Sequence, residues 1–302
     1  MNKISHFVII IFLMTAACSA NAAIDRLEVR PTDIDRELAT ASGPHVIFRE
    51  KDDSQAPLLI FLPGTGGETV VTAKTERAFI DTALAQGYRV IILSYIDTPA
   101  VAQVCTLQVS AQDPACAEKV RQKRIFGDDT TGLIRDRAKD AIVPRLTMLL
   151  NHLAKSDAQG HWEKYLEGDR PRWSSIVLSG QSQGGGMAAF LAKRYLVAGV
   201  IDFSGGWDMR SRNQIASWYA VPGATPSQRL FGTFHVKEHF AKQIAASYEA
   251  MQFPADHQFA LDKPVRNPAA NNPGHGEGAS NPAYREIWAA ILSELLPHKP
   301  SN

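Results

Sequence analysis

Gly180-Gln181-Ser182-Gln183-Gly184 sets a serine between small residues, behind the apolar run Ile176-Val177-Leu178 and ahead of the Ala-rich stretch Met187–Ala192. A serine at such a strand-to-helix junction can be lifted onto a tight turn, its hydroxyl exposed and a backbone N–H beside it. A helix-capping serine among glycines chosen for close packing would look similar. If the hydroxyl is a nucleophile, it needs a base to take its proton, and the base needs an acid to orient it. Five histidines follow Ser182: His235, His239, His257, His275 and His298. His275 is flanked by glycines in the polar run Asn272-Pro273-Gly274-His275-Gly276-Glu277, whereas His298 sits in the terminal tail and His257 at the start of a weak strand. Three carboxylates stand near strand ends: Asp202, Asp208 and Glu238.

Strand-like and helix-like stretches alternate along the chain, which predicts an α/β layer fold with a mainly parallel central sheet and helices on both faces. Leu58–Leu62 reads as a buried strand that ends at Pro63-Gly64-Thr65-Gly66-Gly67. A helix is expected over about 73–85, a strand over 89–95 and a helix over 138–155, where Ile142, Leu146, Leu149, Leu150 and Leu153 share one face. Beyond the serine, strands are expected at 197–203, 230–236 and 258–261, and a closing helix near 284–296. No low-complexity linker divides residues 23–302, so they read as one domain with a lid-like insertion at about 97–137. The insertion's basic residues Lys119, Arg121, Lys123 and Arg124 are expected on a solvated face, although they could favour anionic substrates.

With 45% hydrophobic residues and a net charge of +1, the chain offers nucleic acid or an acidic membrane surface no attraction. Lys3, the apolar run Phe7–Met14 and the small residues of Ala20-Asn21-Ala22 form a signal peptide, with cleavage expected after Ala22. A lipoprotein anchor at Cys18 is the weaker alternative, since Thr15 stands where a Leu-like residue is usual. The apolar run is too short for a membrane span. Export would leave Cys105 and Cys116, expected to form a disulfide closing a short loop. Neither a metal nor an organic cofactor is expected: ligand spacing and a dinucleotide fingerprint are missing.

The succession of strand, Pro63-Gly64-Thr65-Gly66-Gly67, strand, Gly180-Gln181-Ser182-Gln183-Gly184, strand, acid and Gly274-His275 resembles the α/β-hydrolase superfamily over about residues 58–296, closest to its small secreted bacterial esterase-like members. That resemblance implies Ser182 as nucleophile, His275 as base and Glu238 as acid, with Asp202 the alternative acid. It implies an oxyanion hole from the N–H of Gln183 and that of Thr65 or Gly66, in a loop where Pro63 replaces the histidine of many members. A phosphate-cradling role for this loop lacks the Gly-Lys-Ser/Thr that would follow. The activity implied is hydrolysis of a small-molecule carboxylic ester through an acyl-enzyme. A serine peptidase, a thioesterase or a non-catalytic binding protein on the same scaffold are the other readings. Trp207, Trp218, Tyr219 and Phe231 could line an acyl pocket, though aromatics at strand ends are more often core.

Overall fold

The computed structural model describes residues 24–50 and 56–296. The expected signal peptide with Cys18, and His298, lie outside the described residues. Eight strands form one sheet: β1 (Ile24–Val29), β2 (His45–Glu50), β3 (Leu58–Leu62), β4 (Arg89–Ile92), β5 (Ile176–Gln181), β6 (Gly199–Phe203), β7 (Leu230–His235) and β8 (Gln258–Leu261). Their order is β1-β2-β4-β3-β5-β6-β7-β8. β2 runs antiparallel to β1 and β4, and all other neighbours are parallel.

The central strands are buried at nearly every position, and mostly apolar, because helices cover both faces. Side chains alternate between the two: Leu58, Ile60 and Leu62 of β3 point into one core with Ile91, Ile176 and Leu178, while Leu59 and Phe61 point into the other with Val90, Ile92 and Val177. The first core is closed by α4 (Ile142–Ser156) and α5 (Gln183–Arg194), the second by α2 (Arg77–Ala85) and α8 (Arg285–Leu295). An eight-stranded, mainly parallel sheet of this order with helices on both faces is the α/β-hydrolase fold.

Several elements differ from the sequence expectation. The helix expected over 73–85 is two helices, α1 (Thr69–Thr75) and α2, which meet at Glu76 with backbone angles of −94° and 14°. The strand pair β1–β2 and the helix α6 (Ala241–Ala250) were not expected; β1 alternates exposed and half-buried residues, too polar a pattern to stand out.

The 97–137 segment carries α3 (Cys116–Phe126), and the Cys105–Cys116 disulfide closes a loop whose Cα atoms are 5.7 Å apart. Val101, Ala117, Val120, Ile125 and Ile134 share the first core with β3 and α5. The solvated basic face is overturned for two of its residues. The Arg121 and Arg124 side chains are buried, Arg121 bidentate to Asp208 (2.6 and 2.8 Å) and Arg124 Nε 2.8 Å from Asp136. Core carboxylates offset the cost of desolvating both guanidiniums.

Candidate active site

The carboxyl ends of β3, β5, β6 and β7 converge on one edge, the place where open α/β sheets bind ligands. β5 ends in Gln181, and the chain turns straight into α5 at Ser182. Ser182 has φ 57° and ψ −124°, a left-handed backbone that a serine rarely adopts and that costs of order 1–3 kcal/mol. Its N–H donates to Phe203 O at 2.8 Å, and its carbonyl accepts from Gly186 N, so β6 and α5 hold the turn from both sides.

Close approach explains two of the neighbouring glycines. A Cβ on Gly184 would stand 2.0 Å from Leu62 O, and one on Gly64 2.3 Å from Gln181 Oε1 and 3.3 Å from Ser182 Cβ. The first turn of α5 is therefore packed onto the end of β3, and the glycine loop after β3 lies beside the serine. The Gln183 N–H is among those a helix start leaves without an internal partner. The Gln183 side chain is anchored away from it: Oε1 accepts from Val101 N (3.0 Å) and Arg124 Nη1 (3.1 Å), and Nε2 donates to Asp97 O.

In the glycine loop, the Gly67 N–H donates to Gly64 O at 3.0 Å, and the N–H groups of Gly66 and Gly67 lie near the Asp97 carboxyl. Burial pushes that carboxyl above the usual range, against the opposing pull of these donors and Arg124. Thr65, exposed, borders a small cavity with Ser182, Gln183, Arg121 and Trp207.

His275 lies on the loop that precedes the short helix α7 (Glu277–Ser280). Its Nδ1 is 2.8 Å from Glu238 Oε2. Glu238 is 5% exposed; its other oxygen accepts from Ser204 Oγ at 2.6 Å and from His235 N at 2.8 Å. With Nδ1–H donating to that carboxylate, Nε2 is the ring's acceptor, and it meets the Gln181 side-chain Nε2 at 3.2 Å. Among the described residues no hydrogen bond joins Ser182 Oγ to His275. His239 N donates to Asn272 Oδ1 at 2.8 Å, and His275 N to Asn272 O, so the loop bearing the acid and the loop bearing the imidazole are tied together.

The other candidates are engaged elsewhere. Asp202 is wholly buried and accepts from Gly205 N at 2.8 Å; burial pushes its carboxyl up to about 7, against the pull of Gly205 and Arg121. Asp208 takes Arg121 and Trp218 Nε1. His235 is buried, 2.8 Å from Lys263 O, and His257 packs on Phe231. Trp218, Tyr219 and Phe231 are core residues.

Sequence reasoning gave Ser204 and Gln181 no role. Ser204, with φ 55°, turns its hydroxyl onto Glu238. The only trace of this in the sequence is a serine ahead of Gly205-Gly206 at a strand end. Trp207 meets the His275 ring in a T-shaped contact, with centroids 5.4 Å apart at 74°, and stacks on Phe240.

The fold and this edge define the class: an α/β-hydrolase-fold protein with a serine on its strand-to-helix turn and an imidazole–carboxylate pair beside it. No family model matches the sequence, and no curated protein matches it. Among solved structures, the chain is similar to a truncated carbohydrate esterase from gut microbiota (13% identity, covering 91% of this chain and 98% of that one, TM-score 0.49). It is likewise similar to a hyperthermophilic esterase from Pyrobaculum calidifontis (12%, 90% and 85%, 0.47) and to a putative dienelactone hydrolase from Klebsiella pneumoniae (14%, 89% and 99%, 0.44).

Proposed function

We propose that the protein is a serine hydrolase that cleaves carboxylic esters through an acyl-enzyme intermediate. The observation that carries this reading is the buried Glu238 carboxylate 2.8 Å from His275 Nδ1, at the sheet edge where Ser182 occupies its strained turn. Glu238 fixes the tautomer in which Nε2 can accept a proton, and stabilises the imidazolium once it forms.

In the first step Nε2 takes the Ser182 proton as Oγ attacks the ester carbonyl. That requires Gln181 to give up its contact with Nε2, which a bound substrate can bring about by filling the space above the serine. The Gln183 N–H faces the developing oxyanion. Thr65, which borders the small cavity with Ser182 and Gln183, is the member of the glycine loop that supplies the second N–H. Such a donor is worth about 3–4 kcal/mol in the transition state. His275 then passes its proton to the leaving alkoxide, and water, deprotonated by the same ring, releases the acid. The disulfide and the signal-peptide sequence support a place of work outside the cytoplasm.

Labelling with a fluorophosphonate tests the reading. Wild type is expected to be modified and Ser182→Ala to stay unmodified; labelling of both to the same extent, or of neither, would sink it.

A further inference from the structure

Ser182 lines a small cavity that adjoins a larger one, and the two differ tenfold in size. The small one, about 30 Å³, lies among Thr65, Ser182, Gln183, Gly206 and Trp207. A single water-sized probe fills ~10–15 Å³, so this space admits a group of two or so heavy atoms. The larger one, about 300 Å³, shares Val101, Ala102, Trp207 and Asp208 with the first. It runs outward between the disulfide loop, through Cys105, Thr106 and Leu107, and Met209, Phe240 and Gln243 opposite.

The walls of the larger cleft are largely apolar and aromatic, with the exposed Arg212 and the half-buried Gln243 among its polar members. Leu107 and Phe240 are 46% and 40% exposed, which is costly for such side chains unless something covers them. Trp207 and Phe240 stack at 5.4 Å with 6° between their planes, and so present a flat platform. In the small cavity Arg121 contributes no net charge, because Asp208 holds it bidentately; the larger cleft has the exposed Arg212 on its wall.

The small cavity is bordered by Ser182, Thr65 and Gln183, the residues that meet the ester carbonyl, so the acyl end sits there. Trp207 borders both cavities and packs on the His275 ring. His275 must hand its proton to the leaving oxygen, so the leaving group departs past Trp207 into the larger cleft. We propose that the protein hydrolyses short-acyl esters of bulky aromatic alcohols: an acetyl-sized acyl group occupies the small cavity, and the aromatic alcohol portion lies on the Trp207–Phe240 platform in the cleft. This rests on the serine-hydrolase reading above.

The test compares alkyl-type alcohols throughout, so that leaving-group reactivity is matched. The kcat/KM for 2-naphthylmethyl acetate is expected to exceed that for ethyl acetate by about tenfold or more. The value for methyl esters is expected to fall by about tenfold or more from acetate to octanoate, the scale on which apolar pockets discriminate. Phe240→Ala should reduce the naphthylmethyl-to-ethyl ratio about tenfold, and free 2-naphthylmethanol should inhibit wild type competitively. Octanoate hydrolysed as fast as acetate, or a ratio that Phe240→Ala leaves unchanged, overturns the assignment while the hydrolase reading stands. If no ester is turned over and the fluorophosphonate leaves Ser182 unmodified, the hydrolase reading fails and this one falls with it.

Discussion

Two regions meet at Ser182, and they are held by different forces. The sheet edge with Ser182, Glu238 and His275 is positioned by backbone: parallel ladders, a helix packed through Gly184 onto β3, and apolar side chains in both cores. The 97–137 segment opposite adds charged and covalent anchors, namely Arg121–Asp208, Arg124–Asp136, the Gln183 side chain and the Cys105–Cys116 bond. Burial spread over many residues tolerates the loss of any one of them. A buried ion pair does not, because removing one partner strands a charge away from water. The segment can therefore be loosened by single substitutions that leave the sheet edge intact.

The largest effect should come from the sheet edge itself. Glu238→Ala is expected to lower kcat about 10³–10⁴-fold, as loss of the orienting carboxylate does in other triads, whereas Asp202→Asn should cost about tenfold or less. Burial already holds the Asp202 carboxyl in its protonated form up to about pH 7, and Asn mimics that form. Steady-state rates on one ester decide between them. A reversed order would transfer the acid's role to Asp202.

Asp208→Ala comes next, since it strands the buried Arg121. Urea unfolding should show a loss of about 3–5 kcal/mol, and Asp208→Ala combined with Arg121→Met should recover part of it. If the single variant is as stable as wild type, the segment is not anchored by charge. Replacing both Cys105 and Cys116 by serine should cost ~2–3 kcal/mol through the freed loop of the unfolded chain. The two losses should be additive only if the anchors act independently.

The smallest effect probes the exception on the sheet side. Glu76, at the junction of α1 and α2, is a buried carboxyl that burial pushes up to about 8, against the pull of Arg266 and Thr75. Its folded form binds the proton more tightly than the unfolded chain does. The stability this gives is complete below the ordinary carboxylate range and is lost as pH rises through about 8. Between pH 5 and 9 wild type should therefore lose stability that Glu76→Gln retains. Equal pH dependence of the two melting curves would show that Glu76 is not the group titrating.

Apolar runs made the central sheet legible in the sequence. β3, β4, β5, β6 and β7 are buried on both faces, so each carries a short run of apolar residues rather than an apolar–polar alternation. The edge pair β1–β2 escaped notice because β1 is half solvated and alternates too gently. Arg121 and Arg124 were read as surface residues because helix α3 is basic and its mean hydropathy low. Their partners Asp208 and Asp136 lie 87 and 12 residues away, and nothing local in the sequence announces either pairing. Trp207 carried little weight for a similar reason: a strand-end aromatic looks like core until His275 and Phe240 are seen beside it.

By itself the sequence determined the elements around Ser182, since a small-residue turn between an apolar strand and a helix is a local property of five or six consecutive residues. It also fixed which histidine sits in a glycine-flanked loop. Only the tertiary structure decided that Glu238, rather than Asp202 or Asp208, stands against that histidine, because the choice depends on how three strand ends and two loops converge. The same holds for the size and side of the two cavities. Distances between residues remote in sequence are set by packing, and packing is a property of the whole chain.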